Sequence, residues 1–174
     1  MSEGHFTISI PGAGSTSLAS SPIAAVVVDD WSEQGIPIRT GIGMTAITGR
    51  SNWGTPQISA PAHRVLWSWE VTAYLTLDDA IALGALGMWQ SDQQKLRNTA
   101  PLRLIDETDY TEALPSPYPV PLISPVVPAW NAGYVYGFGV YAVKLNLPGG
   151  WRQPVGLFSN GEQARLVTFQ VEEL

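Results

Sequence analysis

Hydrophobic and polar positions alternate most regularly along Arg64–Leu75. Val65, Trp67, Trp69, Val71, Ala73 and Leu75 fall on one parity, and Leu66, Ser68, Glu70, Thr72 and Tyr74 on the other. That period of two predicts a half-buried strand. Its length, well beyond the usual five or six residues, suits a barrel or a strongly twisted sheet. The period then changes. Leu77, Ala80, Ile81, Gly84, Ala85 and Met88 recur at helical spacing, which predicts one helix over about 76–92 that fades in Gln90–Gln94. Thr76 is a good N-cap, and Asp79 three residues on completes a capping box at the positive end of the helix dipole.

The remaining pattern is β-like. His5–Ile10 alternates weakly, Ile23–Asp29 is a β-branched run that reads as a buried strand, and Gln163–Glu173 puts Val167, Phe169 and Val171 on one face. Ile36–Thr48 places Ile36, Ile38, Thr40, Ile42 and Met44 on one parity, with Pro37 near its start and Gly41 and Gly43 marking a bend. Leu102–Ile105 reads as a short strand, Asp106–Glu112 as an acidic turn, and Tyr134–Leu147 as a second long strand before the turn Pro148-Gly149-Gly150. Pro11–Pro22 and Arg50–Pro61 read as loops. The six prolines between Pro115 and Pro128 exclude a helix or an inner strand there. The expectation is a single β-rich domain over 1–174, with extended loops at 11–22 and 115–130. Its fold class is mainly β (α+β): an antiparallel split β-barrel or sandwich with one flanking α-helix.

Composition narrows the function. The 174 residues carry 9 Lys plus Arg against 15 Asp plus Glu, a net charge of −6, and only 14% are charged where about 25% is typical. Nine scattered cations are a poor match to nucleic acid, whose phosphates need clustered Lys and Arg. No apolar run is long enough for a membrane-spanning helix, and MSEGHFTISIP lacks the basic and apolar regions of a secretory signal. The absence of Cys removes disulfides, thiol catalysis and Cys-based metal sites. Charges are absent from Pro11–Ala25, and Pro115–Leu147 holds only Lys144. Such stretches read as surfaces covered by neighbouring subunits.

Catalytic constellations are scarce. His5 and His63 have no metal-ligand spacing. The loop GAGST at Gly12–Thr16 lacks the Lys of a Walker motif and the third Gly of a dinucleotide fingerprint, and no G-x-S-x-G elbow exists. The acidic groups Asp29-Asp30, Asp78-Asp79, and Asp106-Glu107 with Asp109 and Glu112 read as helix-capping or solvated carboxylates, not as a glycosidase pair or a calcium loop. The chain reads as a non-enzyme without cofactor or metal. Seven tryptophans remain. Trp67, Trp69 and Trp89 lie inside regular elements and read as core. Trp31, Trp53, Trp130 and Trp151 fall in expected loops, where Trp marks contact surfaces. The candidate contact residues are these four with Pro119 and Pro121. An alternative use of the loop tryptophans is to stack on sugars in a carbohydrate-binding β-sandwich.

The order of elements carries a family likeness. RVLWSWEVTAYLT leads straight into LDDAIALGALGMWQ, followed by PLRLIDET, the Pro-rich passage and ARLVTFQVEEL. Over roughly residues 60–174 this resembles the small tail-tip and baseplate proteins of tailed bacteriophages, of the distal-tail or minor-tail type. The resemblance implies a structural virion component forming a ring, sixfold in that family, around the tail tube or in the baseplate. Its implied partners are copies of itself and neighbouring tail proteins. It assigns no residue a role.

Overall fold

A computed structural model describes residues 4–11, 24–32, 35–37, 39–42, 47–50, 56–59, 66–96, 101–113, 121–130, 133 and 135–174. The elements are β1 (Phe6–Ile10), β2 (Ala24–Val28), β3 (Asp30–Trp31), β4 (Arg39–Ile42), β5 (Ile47–Arg50), β6 (Pro56–Ser59), β7 (Leu66–Thr76), α1 (Leu77–Lys95), β8 (Leu102–Ala113), β9 (Leu122–Val126), β10 (Val135–Asn146), β11 (Arg152–Leu157) and β12 (Gln163–Glu173). Among the described residues the fold is antiparallel β with a single helix, as the sequence predicts.

Ten strands form one sheet in the order β2-β1-β8-β10-β12-β7-β3, with β9, β11 and β4 attached to β10, β12 and β7; β5 and β6 pair as a separate two-stranded sheet. The ladder does not close into a barrel. Its two ends are nevertheless consecutive in the chain. β2 pairs with β1, and β3, one residue further on, pairs Asp30 with Tyr74 and Trp31 with Ala73 of β7. One short segment therefore curls the sheet onto itself. Along β12, β7 holds one edge from Ala164 to Glu172, while the other edge is shared by β11 and by the last four residues of β10.

The helix follows β7 without a loop, because Thr76 serves both elements. The Thr76 hydroxyl accepts from the Asp79 N–H at 3.1 Å and donates to the Asp79 carboxylate at 2.7 Å. α1 buries Ala80, Leu83, Leu86 and Gln90 against the sheet. Gly84 and Gly87 allow this approach: a β-carbon at Gly84 would stand 3.4 Å from the Trp151 ring, and one at Gly87 would stand 2.8 Å from the Leu147 side chain. Gln90 continues the ladder in place of a strand. Its amide donates to the Leu145 carbonyl at 3.1 Å and accepts from the Leu145 N–H at 2.8 Å, two residues past the point where β8 stops pairing with β10.

The core centres on Phe6, Trp31, Trp69 and Tyr141. Their rings meet edge to face, with centroids 5.3 Å apart for Phe6–Trp31, 6.5 Å for Phe6–Trp69 and 5.0 Å for Trp69–Tyr141. Each such pair contributes about 0.5–1.5 kcal/mol beyond area burial. The inward parity of β7 and β12 is as the alternation predicts: Trp69, Val71, Ala73 and Leu75 are buried, as are Val167, Phe169 and Val171.

Several expectations are corrected. The run Ile36–Thr48 is not one strand: β4 holds only four residues against β7, and β5 belongs to the second sheet. Arg50–Pro61 is not all loop, since Pro56–Ser59 pairs with β5. Ile23–Asp29 is not fully buried; Val26 and Val28 face in while Val27 is half exposed, because β2 is an edge strand. The acidic stretch Asp106–Glu112 is not a turn but part of β8. Asp106 stands opposite Gly139 and Tyr110 opposite Phe138, so Glu107, Thr108 and Asp109 bulge out of a continuous strand. The 115–130 passage is not wholly loop, because Leu122–Val126 pairs with the edge of β10. β11 has no counterpart in the sequence reading, since Pro154 and Gly156 break any alternation. The helix reaches Lys95. The loop Gly12–Thr16, Trp53, His63 and Pro119 lie outside the described residues.

Candidate functional site

A buried polar cluster joins β4, β7, β8 and β10. Asp106 is 0% exposed. One of its oxygens accepts from the Thr108 N–H at 2.9 Å and from the Thr108 hydroxyl at 2.6 Å, which closes the β8 bulge. The other accepts from Trp69 Nε1 at 3.0 Å and faces Arg39 Nε at 3.8 Å. Arg39 donates further to Asp109 at 2.6 Å and to the Tyr141 hydroxyl at 3.1 Å, and its guanidinium lies 5.4 Å from the Trp67 ring centre. Burial pulls the Arg39 pKa down, but the hydrogen bond to Asp109, the electrostatic pull of Tyr141 and Asp106 and the bond to Tyr141 outweigh it and leave it raised. Every Asp106 oxygen is committed and none meets solvent. The cluster locks the edge strand β4 to the sheet, and its solvent-exposed carboxylate is that of Asp109, paired with Arg39.

Gly139 and Gly4 make room for this arrangement. A β-carbon at Gly139 would overlap the Tyr141 ring, and one at Gly4 would overlap the Glu107 backbone. The Gly4 carbonyl accepts from Trp31 Nε1 at 2.9 Å. His5 Nε2 contacts the Glu107 carboxylate, and the Glu107 N–H donates to the His5 carbonyl at 3.0 Å.

Two hollows lie elsewhere. A groove of about 730 Å³ runs over the outer face of β7 and β12, with Glu70, Thr72, Thr168 and Gln170 as its floor and Pro37 and Pro148 in its walls. Glu70 is the one carboxylate among its described lining residues, whereas two-carboxylate hydrolysis needs a second acid across the cleft. A smaller hollow of about 270 Å³ near the start of α1 gathers Asp29, Asp30, Asp79 and Glu162. Among the described residues no group of His, Asp or Glu has the arrangement of a metal centre.

The expected contact residues separate. Trp31 is corrected: it lies in β3, is 8% exposed, and belongs to the core, because the short return strand carries it under the sheet. Trp151 is half-buried across Gly84, with the Arg152 guanidinium 5.5 Å from its ring centre. Pro121 is exposed at the foot of β9. Trp130 is 72% exposed, beside Val126 at 57% and Val127 at 56%. Further exposed apolar side chains include Val155 and Leu157 on β11, Leu96 at the end of α1, and Ile81 and Met88 on the outer face of α1. Ile81 and Met88 belong to the helical repeat read from the sequence, whose spacing does not tell which residues face the sheet. The charge-poor stretch Pro115–Leu147 also divides: its β10 part alternates buried Tyr141, Val143 and Leu145 with outward positions, one of which is Lys144, so its low charge reflects sheet interior.

Two of the sheet's edge strands, β9 and β11, are guarded against strand addition. In β9, Ser124 adopts φ 50° and Pro125 has no N–H, while the pairing register with β10 slips between Tyr136 and Phe138. In β11, Pro154 and Gly156, at φ 144°, flank a second register slip. A proline combined with a bulge blunts an edge. No protein family matches the chain, and neither does any curated protein or solved structure.

Proposed function

We propose that this chain is a structural assembly subunit, which acts by packing against copies of itself in a ring of the kind built in phage tails. The observation that carries this reading is the solvent-exposed apolar group Val126, Val127 and Trp130, on a segment without ionisable side chains. Apolar side chains grouped on an otherwise polar surface mark interaction sites. The tail assignment rests on the strand–helix–strand order and its family resemblance. The guarding of β9 and β11 favours side-chain docking over strand pairing at those two edges. Co-purification with candidate tail-tube and baseplate proteins, followed by negative-stain microscopy, tests the reading. Rings are the expected result. A chain that stays single and retains none of these proteins overturns it.

A further inference from the structure

Among the exposed apolar groups of the described residues, which include Val155 and Leu157 on β11, two lie far apart and differ in shape. The first is Val126, Val127 and Trp130, where a tryptophan is 72% exposed just beyond β9. The second is the outer face of α1. There Ile81 is 53% and Met88 71% exposed, with the small Ala85 between them. Residues 81, 85 and 88 fall on one helix face, so Ala85 is the floor of a hole walled by Ile81 and Met88. Trp151, lying across Gly84, borders it. The surfaces are well separated: β9 pairs with β10 at Tyr136–Gly139, whereas α1 joins β10 at Leu145. Six residues of strand between Gly139 and Leu145 span about 20 Å.

We propose that the occupant of each surface is the other surface on a second copy of the chain: Trp130 of one protomer docks over Ala85, between Ile81 and Met88 of the next. This rests on the assembly reading above and deepens it by naming the two halves of the contact. Three observations support it. A bulky exposed aromatic residue and a helix hole are complementary to one another and not to themselves. Pairing α1 with itself in antiparallel fashion about Ala85 would bring Asp78 opposite Asp92, since each is seven residues from that centre; like charges there oppose it. Finally, the area argues for two contacts per chain. One aromatic side chain contributes about 150–250 Å². With two valines the patch offers several hundred, short of the roughly 800 Å² per partner of a stable pair. A head-to-tail arrangement gives each protomer two such contacts, and closes as a ring when the rotation permits.

The absence of native cysteine makes thiol cross-linking specific. Chains bearing Ala129→Cys and chains bearing Ala85→Cys are mixed and treated with a short bismaleimide. The proposal expects cross-linked pairs that join one chain of each kind, well above the yield from either chain alone. Adding Met88→Asp to the Ala85→Cys chain lowers that yield about thirtyfold, the effect of losing a hot-spot side chain; circular dichroism checks that this variant keeps its helix. Cross-links that form equally well within one kind of chain overturn the head-to-tail docking, as does a yield no higher than that of the denatured mixture. Sedimentation of the unmodified chain separates the two failures. An assembly without the mixed cross-link defeats only this docking, whereas a monomer defeats the assembly reading as well.

Discussion

Replacing Asp106 by Ala tests the reading of the buried cluster as a lock. The substitution removes the acceptor for Trp69 Nε1, which is fully buried, and for both Thr108 donors, and it removes one of the carboxylates facing Arg39. An orphaned buried donor costs about 1–3 kcal/mol, and removing one partner of a buried ion pair costs about 3–5 kcal/mol. Arg39 keeps Asp109 and Tyr141, so the expected loss lies at the lower end of that range, about 3–4 kcal/mol. At about 2–4 °C per kcal/mol for a chain of this size, Tm falls by roughly 10 °C. Thermal and urea unfolding followed by tryptophan fluorescence measure it. The double variant Asp106→Leu with Trp69→Phe removes donor and acceptor together, so its loss is smaller than the sum of the single losses by about 1 kcal/mol or more. A loss below about 1 kcal/mol for Asp106→Ala, the ordinary effect of a surface substitution or less, refutes the lock.

The other predictions concern the elements that close the fold. Gln90→Ala strands the N–H and C=O of Leu145 and lowers stability by about 2–4 kcal/mol, while Gln90→Glu keeps the acceptor and loses about half as much; urea denaturation distinguishes them. Gly139→Ala forces the Tyr141 ring away from Arg39 and costs about 1–3 kcal/mol by overpacking, read as a Tm decrease. Thr76→Ala removes the helix cap for about 1 kcal/mol, seen by urea unfolding. The raised Arg39 pKa gives stability that is present below the unfolded pKa and is lost only as pH rises through the folded one. A pH titration of stability across the neutral range therefore shows no step from this group.

The elements legible in the sequence were those that obey one period from end to end. β7 and β12 alternate cleanly because each has one face on the core, and α1 announces itself through Thr76 and Asp79. What escaped was set by tertiary partners. Asp106 shares the parity of Leu102 and Leu104, both buried, and Trp69 needs an acceptor for its indole N–H. Those two facts together point to a buried carboxylate, yet four acids in seven residues read locally as a turn. Trp31 looked like a loop residue because two residues of strand leave almost no pattern. β9 and β11 escaped because the prolines that guard an edge also erase its alternation. The outer face of α1 is hidden for the opposite reason: apolar residues surround the helix, so spacing alone does not separate the side packed on the sheet from the side left open.

Sedimentation velocity of the unmodified chain, from low-micromolar to the highest soluble concentration, tests the central claim most directly. The account predicts a discrete species at a multiple of the 18.8 kDa chain mass that gains population with concentration and is lost on Trp130→Asp. A single 18.8 kDa species at every concentration contradicts it.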